Sequence, residues 1–217
     1  INPVKRWVNF TEKVSEKPNL KIVTMNIKTG AMGREKIYDF LKNTDADIII
    51  GQEYGTEFNV PGYLYRTDQY EIVALNSKTQ IINQQKLTTV GNGNSFFADI
   101  KFKGKIIRVI NAYLNPFSFE KAKVKPTEDL ETNKTKALYI LKRLIPTFKI
   151  HQQEVSDIRK AIDDSPYPVI LAGDFNSVPN SYEYYTLGKN LTDAFVAGGR
   201  GTATSFHDYR FPSTTDY

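Results

Sequence analysis

Cysteine is absent from the 217 residues, histidine occurs only twice, and no apolar run nears a membrane span, which takes roughly 20 residues. The first absence excludes disulfides, thiolate zinc sites and a cysteine nucleophile, and leaves the redox compartment open. No signal-peptide pattern is visible either. The chain starts at Ile1 rather than Met and stops at Thr215-Asp216-Tyr217, in what reads as the opening of a strand. The expectation is a fragment, with something upstream removed. What remains is ordinary for one soluble globular domain: 40% apolar and 24% charged residues. The net charge of +5 and pI near 9.1 favour encounter with phosphate-bearing partners. A Lys-rich solvated surface explains that balance equally well, and Lys101, Lys103 and Lys105 read as a hairpin tip rather than a nucleic-acid groove.

Periodicity divides the chain into a lead-in segment, residues 1–19, and a domain over residues 20–217. Trp7 and Phe10 are the expected anchors of the lead-in. Leu20–Ile27 and Ala46–Ile50 have the apolar, β-branched content of buried strands. Between them Ile37, Phe40 and Leu41 recur at helical spacing over Arg34–Asn43. Antiparallel strands are expected at Glu71–Asn76, Gln80–Thr89, Ser95–Phe102 and Lys105–Leu114, with a tight turn at Lys103-Gly104. Residues 115–134 read as a loop. A helix over Lys134–Asp164 follows, interrupted or kinked at Pro146. Val169–Asp174 reads as another buried strand, and Asn180-Ser181 as the cap of a short helix reaching Leu187. Asn190–Val196 leads into a Gly/Thr loop. Helices at both ends and antiparallel strands between them predict an α/β or α+β sandwich with mixed sheets.

The chemistry sits where strands stop. Val169-Ile170-Leu171-Ala172 ends in Gly173-Asp174-Phe175-Asn176, and Asp174 and Asn176, two apart, project to one face of an extended chain. Two earlier strands end the same way, at Asn26 and at Gln52-Glu53, and Asn111 lies in a fourth. This set is rich in oxygen and holds neither thiolate nor imidazole, so it suits Mg²⁺, Mn²⁺ or Ca²⁺ far better than zinc. Magnesium takes one or two protein carboxylates and completes its shell with water and phosphate. Glu53, helped by Asn26 or Asp174, is enough.

Leu20-Lys21-Ile22-Val23-Thr24-Met25-Asn26-Ile27, Asp47-Ile48-Ile49-Ile50-Gly51-Gln52-Glu53 and Gly173-Asp174-Phe175-Asn176-Ser177-Val178-Pro179 resemble, in order and spacing, the successive signatures of the endonuclease/exonuclease/phosphatase superfamily. Ser165–Tyr182 and Leu191–Phe195 resemble a Bacteroidetes-type branch often joined to N-terminal membrane segments. The resemblance covers about residues 20–217. It implies an α+β, four-layer α/β/β/α sandwich of two mixed, mainly antiparallel sheets, here lacking its last strand or strands. It implies a divalent-metal-dependent phosphoester hydrolase, a phosphodiesterase, nuclease or phosphatase. Its substrate would be nucleic acid, a phospholipid headgroup or a sugar phosphate. By position, Glu53 corresponds to the metal-binding glutamate and Asn26 to the asparagine beside the metal. Asp174 corresponds to the aspartate that holds the attacking water, and Asn176 to the asparagine on the scissile phosphate. Tyr113 stands where many members carry histidine and the exonuclease III branch carries tyrosine. Asp216 corresponds to an aspartate orienting the histidine of a later Ser-Asp-His motif, a tripeptide these residues lack. Impaired turnover is therefore expected, and a phosphate-binding or scaffold domain of the same fold is the alternative. A monomer, and a tether upstream of Ile1 in a membrane-anchored, periplasmic or exported bacterial protein, complete the expectation.

Each residue also has a plainer reading. Glu53 is then a solvated loop acid, Asp174 part of a Gly-Asp turn, Asn26 a loop cap, Tyr113 strand packing and Asp216 a surface residue. Asn111 and Asp193 read as structural. His151 shares a helical stripe with Val155, Ile158 and Ile162 and reads as a packing residue, and His207 lies in a polar loop. Tyr182, Tyr184 and Tyr185 read as helix packing before substrate rim.

Overall fold

The computed structural model describes residues 6–11, 18–31, 33–54, 59–88, 90–117 and 129–203. Strand alternation sets its layers. Every residue of β3 (Ile48–Gln52; the two short strands before it are given below) is buried, and neighbours in a strand face opposite ways. Ile49 packs with Ile37 and Leu41 of α1 (Arg34–Thr44). Ile48 and Ile50 face the other way and meet Phe96, Ala98 and Ile100 of β7 (Phe96–Phe102) and Val109 of β8 (Lys105–Tyr113). The opposite faces of those two strands, with Phe97, Ile110 and Ala112, pack under Val155, Ile158 and Ile162 of α2 (Leu130–Asp163). The order is helix, sheet, sheet, helix, the expected four-layer α+β sandwich.

One sheet runs β2 (Ile22–Asn26), β3, β5 (Ala74–Ser77), β4 (Tyr65–Arg66); the other runs β6 (Ile81–Lys86), β7, β8, β9 (Val169–Asp174). Each has a single parallel pair, β2–β3 in one and β8–β9 in the other, and is otherwise antiparallel. Parallel pairing brings C-terminal ends together. Register sets Asn26 opposite Gln52 in the first sheet and Tyr113 opposite Asp174 in the second. The β7–β8 hairpin turns at Lys103 and Gly104, with φ of 46° and 78°, the two positive values a type I′ turn requires.

Several boundaries differ from expectation. Glu71–Val73 is a turn, with Glu71 at φ 59°, and the strand begins only at Ala74. The long helix starts at Leu130, capped by the Asp129 side chain accepting from Thr132 N–H, and runs through Pro146 as one element. The proline removes the hydrogen bond to the carbonyl four residues back and crowds that carbonyl, yet helix continues on both sides. Phe40 is 54% exposed, because α1 buries the narrower Ile37/Leu41 face. The short helices α3 (Tyr182–Leu187) and α4 (Ala194–Gly198) are capped by Ser181 and Asp193.

The lead-in is held by polar groups, not by the expected aromatics. Phe10 is 76% exposed and Trp7 is only half-buried. β1 (Val8–Phe10) pairs with β10 (Arg200–Thr202). Buried Asn9 donates to the carbonyls of Phe195 and Val196, and buried Arg6 lies over the Tyr184 and Tyr185 rings and donates to Asn180 Oδ1.

Gly173 is fixed by its neighbour. Its φ is +145°, and a Cβ there would lie 1.9 Å from the Ala112 carbonyl oxygen on the parallel strand. Gly173→Ala is expected to cost at least about 2 kcal/mol through backbone strain and overpacking; a urea midpoint equal to that of the parent chain would contradict the assignment.

Candidate active site at the sheet edge

Five of the six candidate site residues, Asn26, Glu53, Tyr113, Asp174 and Asn176, meet in one hydrogen-bonded group. Asn26, the last residue of β2, donates from one amide nitrogen to Glu53 Oε1 at 2.8 Å and to Asp174 Oδ2 at 2.9 Å. Its carbonyl oxygen accepts from Lys28 N–H at 3.0 Å. Tyr113 donates its hydroxyl to Glu53 Oε1 at 3.2 Å. Asn176 is joined through its backbone: its N–H donates to Asp174 Oδ1 at 2.9 Å, and its side-chain amide to the Leu114 carbonyl at 2.9 Å. Asp216 and His207 lie outside the described residues.

The local chain explains these positions. β3 ends at Gln52, and Glu53 takes φ 55°, which swings the chain off the strand line. Asn176 has φ 44°, closing the Asx-type turn in which Asp174 accepts from the backbone two residues on. Behind them, Gln52 and Asn111, both buried, tie the sheets together. Gln52 donates to Asn111 Oδ1 at 2.9 Å, and Asn111 donates to the carbonyls of Gly51 and Ala74. Asn111 is structural, as read from the sequence.

Electrostatics set the roles. Burial, then the charges of Glu53 and Asp174, push the Tyr113 hydroxyl far above the ordinary tyrosine range. It is therefore a neutral donor at any working pH. Both neighbours of Glu53 bond to Oε1, and Oε2 has no hydrogen bond among the described residues. No group of three or more His, Asp or Glu side chains placed for a metal occurs among the described residues. A hard cation needs fewer, and Glu53 Oε2 beside the Asp174 carboxylate is a fitting oxygen donor set for Mg²⁺, Mn²⁺ or Ca²⁺. As placed, Asn26 turns its nitrogen toward the carboxylates. It acts as the bridge between them, and its oxygen is engaged elsewhere.

A second polar cluster lies directly behind. His151 is fully buried; its Nε2 is 2.7 Å from the Asn115 carbonyl oxygen and its Nδ1 2.7 Å from Glu183 Oε1. A carbonyl only accepts, so Nε2 carries a proton, and the pair is best described as imidazolium and carboxylate. Burial opposes charge on the ring, but Glu183 and the Asn115 carbonyl outweigh it and raise the His151 pKa. Burial likewise works against Glu183, yet the His151 ring and the Ser181 and Ser177 hydroxyls hold its carboxyl at about 2. Glu154 Oε2 accepts from Asn115 N–H at 3.0 Å while its other oxygen has no hydrogen-bond partner among the described residues, and burial pushes this carboxyl up to about 6. Asn115 is thus gripped at both its N–H and its C=O. The preceding residue, Leu114, bonds through its own N–H and C=O to Asp174 and Asn176. Sequence reading took His151 for a packing residue because its partners are remote in the chain.

Tyr184 bonds Asp193, in keeping with a packing role, whereas Tyr182 is 51% exposed.

The model of the Endonuclease/Exonuclease/phosphatase family matches residues 23–217. The chain belongs to this family. Solved structures of similar fold include a beta toxin from Staphylococcus aureus, at 17% identity over 91% of this chain and 84% of that one, TM-score 0.59. Sphingomyelinase C from Streptomyces griseocarneus matches at 15% identity over 93% and 83%, TM-score 0.55. A family member from Leptotrichia buccalis matches at 15% over 91% and 86%, TM-score 0.55. At such identities the likeness speaks for the fold. No curated protein matches the chain.

The buried cluster behind Glu53 carries a pH dependence of its own. Burial raises the Glu154 carboxyl to about 6, above the ordinary glutamate range, so its contribution favours the fold below about pH 4.5 and is lost as pH rises through about 6. Glu154→Gln removes that loss. Its stability relative to the parent chain should rise by about 2 kcal/mol between pH 4.5 and 7, measured by urea unfolding at each pH; a difference that stays flat would refute the buried-acid description. His151→Ala, which strands Glu183 and a buried carbonyl, should cost about 3–5 kcal/mol.

Proposed function

We propose that this chain is the phosphoester-hydrolase domain of a divalent-metal-dependent enzyme that directs water at phosphorus. The observation that carries the reading is the meeting of Glu53, Asp174, Asn26 and Tyr113 at one edge, with two carboxylates from different sheets bridged by a single amide.

Glu53 Oε2, with the neighbouring Asp174 carboxylate, would hold the Mg²⁺ or Mn²⁺; bound there, the ion supplies neutralisation of charge developing on the phosphoryl oxygens. Asp174 orients the water and accepts its proton as the new P–O bond forms and the ester oxygen departs. Its own direction is set by Asn26 on one oxygen and Asn176 N–H on the other. Tyr113, held neutral, is a donor that can follow charge onto a phosphoryl oxygen. Asn176 stands beside Asp174 as the phosphate contact, anchored to Leu114. Substrates left open by this geometry are nucleic acid, a phospholipid headgroup and a sugar phosphate. A neighbour named as sphingomyelinase C is consistent with the second.

A second reading is a phosphate-binding domain of the same fold without turnover, since the four-residue cluster could hold a phosphate whether or not a Ser-Asp-His histidine reaches it. One assay separates the two. A longer chain supplying that motif should hydrolyse bis-p-nitrophenyl phosphate with Mg²⁺ or Mn²⁺ and stop with chelator, whereas the 217 residues alone should be slower by about 10²-fold or more. Glu53→Ala and Asp174→Ala should each lower the rate of the longer chain at least about 10²-fold. Undiminished rates in both variants would remove the roles given to these carboxylates.

A further inference from the structure

The long helix α2 does two different things along its length. Its C-terminal half packs on the second sheet, with Ala161 O accepting from Arg108 near the start of β8 and His151 bonding Asn115 just past its end. The helix therefore runs antiparallel to β8 and β9, and His151 is level with the edge that carries Asp174. From His151 back to Leu130 the helix continues beyond that edge for about 30 Å at 1.5 Å per residue.

This outer part carries a largely exposed apolar stripe, met among the described residues only at its Phe148 end, where the Phe117 ring packs edge-on at 5.4 Å. Leu138, Leu141, Ile145 and Phe148 recur at intervals of three and four, on one helix face, and are 60%, 52%, 56% and 45% exposed. Val178, 45% exposed, lies just beyond Asn176 on the same edge of the sheet. Lys142 and Lys149 fall beside the stripe, exposed and without an ion pair among the described residues. Arg143 adds a third exposed cation, and over residues 131–150 the one acid is Glu131, already paired with Lys134. No helix among the described residues is long and apolar enough to cross a membrane.

We infer that the N-terminal half of α2 is an interfacial arm that lays its apolar stripe on an anionic lipid surface, so that the catalytic edge faces phosphoesters of membrane lipids. An apolar face bordered by lysines, here Lys142 and Lys149, on a helix too polar to span, is the pattern of helices that lie in the headgroup region. The lysine stems can reach along the apolar stripe while their ammonium groups stay with lipid phosphates. A second copy of the chain is a poorer occupant. In a coiled coil with Leu138, Leu141, Ile145 and Phe148 in the seam, the flanking Lys142 and Lys149 would find no acid at Ala137 or Leu144. The seam also covers less than two heptads, short of the three or four that such pairing needs.

This inference rests on the hydrolase reading for the nature of the substrate, but its test reads binding alone. The chain is sedimented with vesicles of phosphatidylcholine and phosphatidylglycerol, and with phosphatidylcholine alone. Binding should favour the anionic vesicles. Leu141→Glu with Ile145→Glu should weaken it about tenfold or more, and Lys142→Glu with Lys149→Glu should abolish the preference for anionic lipid. These exposed sites leave the fold intact, which circular dichroism checks. Glu53→Ala should bind vesicles like the parent chain, so a failed hydrolase reading and a failed docking surface give different results. Equal binding by parent and Leu141→Glu/Ile145→Glu chains, or no anionic preference in the parent, overturns the inference. A dimer that Leu141→Glu dissociates, in a chain that ignores vesicles, assigns the stripe to self-association and overturns it as well.

Discussion

Two carboxylates from different sheets are brought to one point by one amide group. Glu53 follows β3 of the first sheet and Asp174 ends β9 of the second, and Asn26 donates to both. Like charges resist such an approach, most strongly where water is partly excluded. The rest of the molecule supplies what holds them. The layer between the sheets, Ile48, Ile50, Phe96, Ala98, Ile100 and Val109, fixes sheet separation by apolar packing. Gln52 and Asn111 then bond across that layer one step below the edge. A buried amide pair in an otherwise apolar interface is stabilising only when its hydrogen-bonding groups are satisfied. Asn111 meets that condition with the carbonyls of Gly51 and Ala74. The sheets cannot slide there without breaking those bonds, so the relative position of Glu53 and Asp174 is set before any ligand arrives.

Backbone strain is found at the same places. Glu53 and Asn176 both have positive φ, 55° and 44°. That conformation is common for asparagine but uncommon for glutamate. At Glu53 it follows directly on a strand whose every residue is buried, and the bonds from Asn26 and Tyr113 offset its cost. Strain of this kind persists only where the surrounding contacts hold it.

Much of this could be read from residues alone, and the reason is local. A strand ending in an acid or amide declares itself within five or six positions, so β2, β3 and β9 and the residues Asn26, Glu53, Asp174 and Asn176 were all legible. Periodicity also placed β7, β8 and the Lys103-Gly104 turn. Contacts between distant segments were not legible. His151 has the spacing of a packing residue with Val155, Ile158 and Ile162, and nothing near it points to Glu183, 32 residues on. Asp99 and Arg108 form a buried bidentate pair, visible only once the hairpin register is known. Bulk misled at the N-terminus: Trp7 and Phe10 looked like anchors, yet buried Arg6 and Asn9 hold that segment, because the carbonyls and aromatic rings that receive them come from residues 180–196. Phe40 misled in the same way, since a helix on a flat sheet buries a face narrower than its apolar count suggests.

Helix α2 shows how one element can couple scaffold to surface. Through Val155, Ile158 and Ile162 it covers the second sheet. One turn earlier it abandons apolar packing for His151 and Glu154, which hold both backbone groups of Asn115. Asn115 adjoins Leu114, whose backbone grips Asp174 and Asn176. The outer part of the helix therefore has a short covalent and hydrogen-bonded connection to the Asp174–Asn176 turn: His151, Asn115, Leu114, Asn176. Burial of two acids and an imidazolium is costly unless their partners are fixed. Placing them where the helix leaves the sheet gives that junction a polar anchor, as Arg108 on Ala161 O does near the helix C-terminus. The helix cannot shift along the sheet by a turn, because the cluster would lose its partners and leave charge buried alone. The arm beyond the edge is thus held in register with the site it overlooks.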